Sequence, residues 1–519
     1  MTWLNVVVAG LLACASTSQA AIGPVAELPI TNADVSPDGF TKSAVLAGGT
    51  LPGPVIMGQK GDQFKINVTS YLTDDSMLTG TTVHWHGLFQ HHQNQMDGVA
   101  FVTQCPIVSG QSFLYDFNGQ GQAGTYWYHS HYGAQYCDGL RGPLIIYDPH
   151  DPYQLLYDID NESTIITLMD WYHLPSTQVQ RQVVPDSVLI NGVGRYEGGP
   201  ETPYAIINVQ PNKRYRFRLL NMACKPNYIF SIDNHDLTVI EVDGEYVEPY
   251  VVNSIQIYAA QRYSFILETN QAVDNYWIHA DPNTGDNATA IFRYSGAPEQ
   301  DPKNRTMAYS TPLNETALVP LTPTTARLLK PEADVKLNLV LGKNDTNFNF
   351  LINGVQYTSP TIPVLLQLLS GAVSPSDIAP NGSVYALPRD KVIELSMPPD
   401  DAPGRPHPFH LHGHKFAVVR SASSTNYNLV NPVLRDTVNT GVAGDNVTIR
   451  FLTDNPGPWM LHCHIDWHLY TGMAVVFAED PQDVPSSQPI NNASKQLCPI
   501  YNNTPPQNFP LPPPDPSAG

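Results

Sequence analysis

The chain has 519 residues, of which 14% are charged and 10% are aromatic, and it contains 47 prolines and 36 glycines. A chain of this length is expected to form about three domains, and this composition favours β-rich, loop-rich architecture over helices. The net charge of -20 comes without a run of lysine or arginine. Because phosphate binding needs clustered positive charge, this argues against nucleic acid as a partner.

The N-terminus has the pattern of a secretory leader. An apolar segment from Leu4 to Ala15 leads into the small-x-small sequence Ser18-Gln19-Ala20, so residues 1–20 are predicted to be a signal peptide. No later stretch approaches the roughly 20 apolar residues that cross a bilayer. We therefore expect a secreted, extracellular, monomeric protein that begins near Ala21 and does not enter the membrane.

The first block of predicted strands covers residues 45–66, 81–89, 125–131 and 144–147. Two of these strands contain alternating histidines, His84-Trp85-His86 and His129-Ser130-His131. Alternate residues of a strand share one face, so each pair presents two imidazoles to one site.

A second block of short strands covers residues 163–294, and its histidines, His173, His235 and His279, are isolated. We expect them to be core or surface residues. A third block follows the proline- and threonine-rich passage at 297–325, with short helices predicted at 363–369 and around 465–470. Many short strands with regular turns predict an all-β protein of sandwiches or barrels. The predicted domains are residues 21–150, 151–320 and 321–519.

Five cysteines remain after the leader, so at least one thiol is unpaired. If Cys463 binds a metal, Cys105, Cys137, Cys224 and Cys498 form two disulfides in one of three pairings. Ten Asn-x-Ser/Thr sequons support secretion. They start at Asn67, Asn161, Asn287, Asn304, Asn314, Asn344, Asn381, Asn446, Asn492 and Asn502.

Four histidine clusters lie in the first and third blocks. They are His84/His86, His129/His131, His407/His410/His412/His414 and His462/His464/His468. One such pair is a weak signal, but four in one secreted chain, one of them containing a cysteine, predict metal binding. Because two clusters lie near each end of the chain, the site is expected where the first and third domains meet.

The last cluster links two sites. On a strand, Cys463 faces one side while His462 and His464 face the other. A cysteine thiolate with two imidazoles and a weak axial thioether is the ligand set of a blue-copper centre. Cys463, His468 and Met473 offer three of those ligands, so one residue would join this centre to a second metal site behind it.

Together these segments resemble the four copper-binding motifs of the multicopper oxidases, and their surroundings resemble the secreted laccases of basidiomycetes. The matching motifs are 84–87, 127–131, 407–414 and 462–468, with flanking segments 104–107, 136–143, 260–263 and 454–459. The likeness covers essentially the whole mature chain. It implies three cupredoxin-like domains and four copper ions: one of type 1, one of type 2 and two of type 3.

The resemblance also implies a role for each ligand. His407, Cys463 and His468 would bind the type 1 copper; His84 and His410 the type 2 copper; His86, His129 and His464 one type 3 copper; and His131, His412 and His462 the other. His414 matches a motif histidine that is not a ligand. The family further suggests the disulfides Cys105–Cys498 and Cys137–Cys224.

Laccases oxidise phenols and aromatic amines by one electron at a time and reduce dioxygen to water, which here suggests lignin degradation or detoxification of lignin-derived phenols. Cys463 would carry electrons inward from His468 at the substrate edge. Asp97 and Asp466 match acids near the cluster in relatives. They would either supply protons or orient the ligand histidines through hydrogen bonds.

Three positions depart from the family pattern. Met473 stands where related laccases carry Phe or Leu, and it is expected either to lower the type 1 potential as an axial ligand or simply to fill a core gap. Lys225 and Tyr470 stand where acidic residues are usual, which puts the ordinary phenol preference and pH profile in doubt.

Other functions are compatible with the same motifs. A metal-ion oxidase such as a ferroxidase would need carboxylates around His468. Bilirubin or ascorbate oxidase activity would suit an axial Met. A copper-binding or dioxygen-carrying protein without turnover is disfavoured, because all the motif histidines and Cys463 are present.

Overall fold

The computed structural model describes most of the chain. The described residues are 21–179, 184–225, 227–282, 288–303, 309–344, 346–347, 349–398, 402 and 406–507. The predicted signal peptide and the sequon asparagines Asn287 and Asn304 lie outside them. Within these residues there is no helix with the length and apolar character that a membrane crossing requires.

The first pair of sheets comes from the N-terminal part of the chain. Its strands are β1 (Val25–Val35), β2 (Lys42–Ala47), β3 (Ile56–Gln59), β4 (Gln63–Tyr71), β5 (His84–His86), β6 (Ser112–Asn118), β7 (Gly124–His129) and β8 (Arg141–Tyr147). They form two four-stranded sheets, in the orders β2-β1-β4-β6 and β3-β8-β7-β5. Short 3-10 helices lie at Asn94–Met96 and Gln135–Asp138.

The second pair of sheets is larger. Its strands are β9 (Ile165–Trp171), β10 (Ser187–Ile190), β11 (Val193–Tyr196), β12 (Ile206–Val209), β13 (Arg214–Asn221), β14 (Tyr228–Ile232), β15 (Leu237–Val242), β16 (Glu245–Val252), β17 (Ile255–Ile257), β18 (Arg262–Glu268), β19 (Asn275–Asp281) and β20 (Ala288–Tyr294). The sheet orders are β11-β10-β9-β13-β18-β15-β16 and β12-β20-β19-β14-β17. Further 3-10 helices lie at Glu162–Thr164 and Glu315–Ala317.

The third pair of sheets contains the remaining strands. They are β21 (Val335–Asn338), β22 (Leu341–Lys343), β23 (Phe350–Ile352), β24 (Val384–Leu387), β25 (Val392–Met397), β26 (Pro408–Leu411), β27 (Phe416–Arg420), β28 (Leu434–Arg435), β29 (Thr437–Asn439), β30 (Val447–Leu452), β31 (Gly457–Cys463) and β32 (Ala474–Glu479). The sheet orders are β21-β25-β30-β27-β28 and β24-β32-β31-β26-β29, beside the hairpin β22-β23. The helices are α1 (Val364–Leu369), α2 (Asp466–Tyr470), α3 (Val484–Ser487) and α4 (Asn492–Asn502).

This architecture confirms the prediction of an all-β chain in three parts, and the helices predicted at 363–369 and around 465–470 are α1 and α2. Each part consists of two packed sheets, as in a cupredoxin-like sandwich. No further observation tests the domain boundaries 21–150, 151–320 and 321–519, so they stay a prediction.

The position of β31 in its sheet explains its sequence. The strand lies between β26 and β32, and all seven of its residues are buried. A central strand covered on both faces is expected to be continuously apolar, and 457–461 follow that rule. His462 breaks it near the C-terminal end, where the strand reaches His131 of the first domain.

The three domains share packing surfaces. One apolar core contains Trp127 of the first domain, Leu168 of the second and Phe409 of the third. Helix α4 returns to the first domain, where Leu497 joins the core and Cys498 forms a disulfide with Cys105. The second disulfide joins Cys137 to Cys224. Both predicted pairings are therefore confirmed, and Cys463 is a buried free thiol.

Candidate metal centres

The Cys463 trio consists of Cys463 at the end of β31, His407 just before β26, and His468 in α2. The Cys463 Sγ atom lies 3.7 Å from His407 Nδ1 and 3.5 Å from His468 Nδ1, and the two Nδ1 atoms are 3.1 Å apart. All three residues are buried. A thiol and two imidazole nitrogens facing one point fit the Cys and His ligands of a trigonal copper site.

Burial raises the pKa of the Cys463 thiol, and a bound cation would reverse this by stabilising the thiolate. The structure places Met473 beside the trio through the backbone. The Cys463 N–H group donates to the Met473 carbonyl at 3.1 Å, and the Met473 N–H group donates to the His468 carbonyl at 3.0 Å. Met473 is fully buried; its role as an axial ligand stays a prediction.

The eight-histidine cluster lies on the other side of Cys463. Its members are His84, His86, His129 and His131 from the first domain and His410, His412, His462 and His464 from the third. All are buried. Their nitrogens approach within 4.8 Å in three sets: His84/His410/His412, His84/His86/His129 and His131/His412/His462. Strand pairing brings histidines together within each domain, because His84 pairs with His129 and His410 pairs with His462. The sets that combine histidines of both domains form where the two domains meet.

One ring nitrogen of most cluster histidines is occupied by a protein partner. The Nδ1 atoms of His84, His129, His410 and His462 lie 2.7–3.0 Å from the backbone carbonyls of Asp97, Ser130, Asp436 and Cys463 respectively. The Nδ1 atom of His412 lies 2.9 Å from Asp97 Oδ2, and that of His464 lies 3.4 Å from the Tyr136 hydroxyl. Such contacts fix the tautomer and the ring orientation of metal-binding histidines.

The second ring nitrogen is the one available to a metal. The Nε2 atoms of His84, His129, His410 and His464 and the Nδ1 atom of His86 are buried and have no hydrogen-bond partner. The Nε2 atom of His462 lies 3.4 Å from that of His131 and 3.1 Å from that of His412. Buried nitrogens that converge without partners are costly unless a cation occupies the space between them. The cluster therefore fits copper.

Protonation states agree with this fit. Burial, followed by repulsion from neighbouring imidazoles, lowers the pKa of His462 to about 3. The same two causes lower the pKa well below its usual value for His129, His131, His412 and His464. Neutral imidazole is the form that binds metals, so the described cluster is ready to bind them near neutral pH.

A buried ion pair joins the second domain to the cluster. The sequence analysis did not single it out. Arg262 of β18 donates to both carboxylate oxygens of Asp436, each at 2.7 Å. Asp436 Oδ1 lies 3.3 Å from His86 Nε2, and its backbone carbonyl accepts from His410. We call Arg262 and Asp436 the clamp. It connects all three domains, although the second domain supplies no cluster histidine.

Gly87 explains why β5 ends directly after its second histidine. Its φ is +91°, and a Cβ atom there would lie 2.5 Å from Arg262 Nη2 and 2.8 Å from Asp436 Oδ2. Glycine is therefore needed for the clamp to approach the cluster. The sequence signal for the clamp was the charged pair Arg435-Asp436 inside the apolar stretch 433–438.

The two predicted acids have different surroundings. Asp97 is fully buried and orients His84 and His412 through its backbone and side chain, respectively. Asp466 begins α2 beside the Cys137–Cys224 disulfide. Burial raises its pKa well above the usual value, and nearby Asp170 adds to that shift.

The remaining predicted positions lie around these centres. His414 Nε2 lies within ion-pair distance of Glu479, at 2.9 Å, and its Nδ1 lies 3.1 Å from the His412 carbonyl, which agrees with a packing role. The Lys225 backbone N–H group donates to the Asp170 carboxylate at 3.1 Å. Tyr470 lies near Tyr132 and Gly133 of the first domain.

The isolated histidines of the second block have protein partners. His173, His235 and His279 contact Asp38, Tyr294 and Asp233, respectively. A cavity of about 900 Å³ also lies in the second domain, lined by residues such as Arg195 and Tyr204, and none of the predicted ligands lines it. The convergence of donor atoms, rather than cavity size, identifies the candidate site.

Comparison with known proteins agrees with this geometry. Family models described as "Multicopper oxidase" match residues 29–151, 162–297 and 357–483. The chain is 55% identical over 492 residues to Laccase-4 of Trametes villosa, covering 93% of this chain and 95% of the relative. It is 56% identical over 505 residues to Laccase-2 of Pleurotus ostreatus, covering 93% and 94%.

Solved structures show the same likeness. The laccase from Botrytis aclada has a TM-score of 0.82 and 30% identity, covering 95% of each chain. Fet3p, described as a multicopper oxidase that functions in iron import, has a TM-score of 0.81 and 28% identity, covering 92% of this chain and 95% of its own.

Proposed function

The chain belongs to the laccases of the multicopper oxidase family, which hold four copper ions and oxidise phenols with dioxygen, and we propose which of its side chains carry each half of that reaction. His407, Cys463 and His468 would bind the type 1 copper, and Met473 would be a further, weaker ligand. The type 2 copper is held by His84 and His410. The type 3 pair is held by His86, His129 and His464 on one side and by His131, His412 and His462 on the other.

Copper at these positions supplies one-electron redox chemistry. The residues around it determine where electrons enter and leave. His468 faces the phenol or aromatic amine, Cys463 receives the electron, and the covalent chain through His462 and His464 delivers it to the cluster. The single observation that carries this proposal is the position of Cys463, whose sulfur belongs to the trio while its neighbours His462 and His464 both lie against cluster histidines.

Separating the two sites suits the stoichiometry. Four phenols give up one electron and one proton each, and one dioxygen takes four of each to form two waters. We propose that Asp97 orients His84 and His412, as its contacts support. Asp466 and Asp97 both remain candidates for proton supply. Slower reoxidation of the reduced enzyme by dioxygen in Asp→Asn variants, without slower phenol oxidation at the trio, would support that second role.

Oxygen uptake with a substrate panel tests the function. We expect a dimethoxyphenol and an aromatic amine to drive uptake with four electrons per dioxygen and no hydrogen peroxide. Fe(II), ascorbate and bilirubin are the comparison substrates. If kcat/KM for one of these exceeds that for every phenol and amine, the laccase assignment is wrong.

A ferroxidase is the second candidate, favoured by the structural likeness to Fet3p. Against it stands the charge at the trio. An Fe(II) site needs carboxylates around His468, whereas Lys225 and Tyr470 stand where acidic residues are usual in the family. Bilirubin or ascorbate oxidase activity has only the axial position of Met473 in its favour.

Secretion and glycosylation complete the proposal. Residues 1–20 direct secretion, and the exposed sequon residues Asn161, Asn314, Asn381, Asn492 and Asn502 are available to carry glycans. The secreted protein is a monomer that acts on lignin-derived phenols. An N-terminus near Ala21, a mass shift on deglycosylation and a monomeric mass in light scattering check these points.

A further inference from the structure

The turn between β15 and β16 places one carboxylate of the second domain against the clamp. Asp243 and Gly244 have φ values of +47° and +83°, as in the two-residue turns that join neighbouring antiparallel strands. The buried Asp243 Oδ1 atom accepts from the Arg262 backbone N–H group at 2.8 Å and lies 3.6 Å from Arg262 Nη1. Asp243 thus contacts both the backbone and the guanidinium group of the arginine that pairs with Asp436.

The second oxygen of the same carboxylate reaches the residues on either side of Asp436. The Asp243 Oδ2 atom accepts from Arg435 Nε at 3.0 Å and from the Thr437 backbone N–H group at 3.4 Å. One carboxylate of the second domain therefore holds the chain of the third domain both before and after the acid of the clamp.

The 435–437 segment held in this way contacts two cluster histidines. Thr437 Oγ1 lies 3.4 Å from His86 Nε2 and 3.4 Å from His410 Nδ1, and the Asp436 carbonyl lies 2.9 Å from His410 Nδ1. The two imidazoles come from different domains and stack with their centroids 3.7 Å apart. A shift of the segment would therefore turn these rings, and ring orientation affects how well a histidine binds a metal.

Charges of opposite sign alternate across this interface, from the surface to the cluster. Arg435 Nη1 also lies 2.5 Å from Glu315 Oε2, and the Glu315 side chain is 14% exposed. The order is Glu315, Arg435, Asp243, Arg262 and Asp436, and we call these five residues the charge chain. Because a buried charge without its partner is costly, loss of the central carboxylate would affect both arginines at once.

We propose that Asp243 is a positioning residue of the cluster: by holding the 435–437 segment against His410, it determines how firmly the type 2 copper is bound. This inference rests on the proposed function, which assigns His84 and His410 to that copper. Asp243 acts through the segment, so the oxidation of phenols at the trio is left unchanged.

The alternative is that Asp243 serves only the turn. Asparagine adopts a positive φ as readily as aspartate and keeps a side-chain oxygen, so Asp243→Asn preserves the turn and removes the charge. Asp151→Asn is the matched control, because Asp151 is also a buried carboxylate paired with an arginine. Its partners Arg216 and Tyr157 lie in the predicted second domain.

The test measures how fast the type 2 copper leaves the copper-loaded protein for a chelator. The type 2 electron paramagnetic resonance signal follows the release, and the blue absorbance of the trio is the internal reference. Loss of a group that orients a metal ligand lowers metal affinity by about 10- to 100-fold. Asp243 lies one contact further out, so we expect about tenfold faster release in Asp243→Asn, at the lower end of that range.

Two further variants bracket this result. Asp151→Asn should release the type 2 copper at the rate of the unchanged protein. Glu315→Gln removes the partly exposed end of the charge chain and should accelerate release only about two- to threefold, because a partly exposed charge contributes less. The blue absorbance should persist in all three variants.

Release from Asp243→Asn at the rate of Asp151→Asn would overturn the inference. A parallel loss of the blue absorbance in Asp243→Asn would overturn it too, because the effect would not be confined to the cluster. If Asp243→Asn does not fold, Glu315→Gln decides: faster release supports the inference, and an unchanged rate overturns it. If the unchanged protein shows no type 2 signal when loaded with copper, the proposed function itself fails, which is a distinct result.

Discussion

The Cys463 trio and the eight-histidine cluster adjoin each other, yet they are assembled differently. All three members of the trio come from the third domain, whereas the cluster takes four histidines from the first domain and four from the third. The clamp then adds a contact from the second. The trio therefore depends mainly on the fold of one domain, and the cluster depends on the docking of three. Changes at the domain interfaces should therefore disturb the cluster more than the trio.

Disruption of the clamp is expected to give the largest difference between the cluster and the trio. Arg262→Leu leaves the Asp436 charge buried without its partner, a change that costs about 3–5 kcal/mol. We expect loss of copper from the cluster while the blue absorbance of the trio persists, and partial rescue by Arg262→Lys. Copper content and electron paramagnetic resonance of the type 2 signal measure this.

Arg450→Leu is the matched control for that experiment. Arg450 forms a similarly buried pair with Glu394 in the third domain, at 2.6 Å, away from the cluster histidines. It should lower stability without selective loss of cluster copper. If Arg450→Leu loses as much cluster copper as Arg262→Leu, general instability rather than the clamp accounts for the result.

The disulfides should give a smaller effect that still distinguishes the two regions. Cys105→Ala with Cys498→Ala frees α4 from the first domain and is expected to cost about 2–4 kcal/mol of unfolding free energy. The trio spectrum should stay unchanged. Cys137→Ala with Cys224→Ala loosens the segment against α2, so it should also perturb the trio spectrum. Chemical denaturation and absorbance measure both, and equal spectra in the two double variants would contradict the distinction.

The smallest effect is expected from a change at Met473, and it should be confined to the trio. If Met473 donates to the type 1 copper, it stabilises the oxidised state, and Met473→Leu should raise the reduction potential. A rise of about 60 mV corresponds to a tenfold change in the one-electron equilibrium. The type 2 signal should not change. A redox titration that shows no rise would mean that Met473 only fills the core.

Much of the site could be predicted from the sequence because its ligands come in short-range patterns. Alternate residues of a strand share a face, which is why His84-Trp85-His86 and His462-Cys463-His464 each present two imidazoles to one side. The strands themselves are shorter than expected. β5 covers only His84–His86, and β31 ends at Cys463. The alternation of side chains between the two faces still holds, because it needs only adjacent residues.

The clamp could not be predicted in the same way. Arg262 and Asp436 are 174 residues apart, and the signal at Arg435-Asp436 does not reveal which residue Asp436 pairs with. Only docking of the second and third domains makes them a buried pair against His86. Gly87 belongs to the motif 84–87, but only the clamp that lies against it explains why a glycine is required there.

The most direct test of the account is the copper content and phenol-driven oxygen uptake of Cys463→Ser. We expect loss of the type 1 copper and the blue absorbance, retention of the cluster coppers, and no oxygen uptake with phenols. The cluster, once reduced chemically, should still be reoxidised by dioxygen. Phenol-driven oxygen uptake at the rate of the unchanged enzyme would contradict the claim that electrons reach the cluster through Cys463.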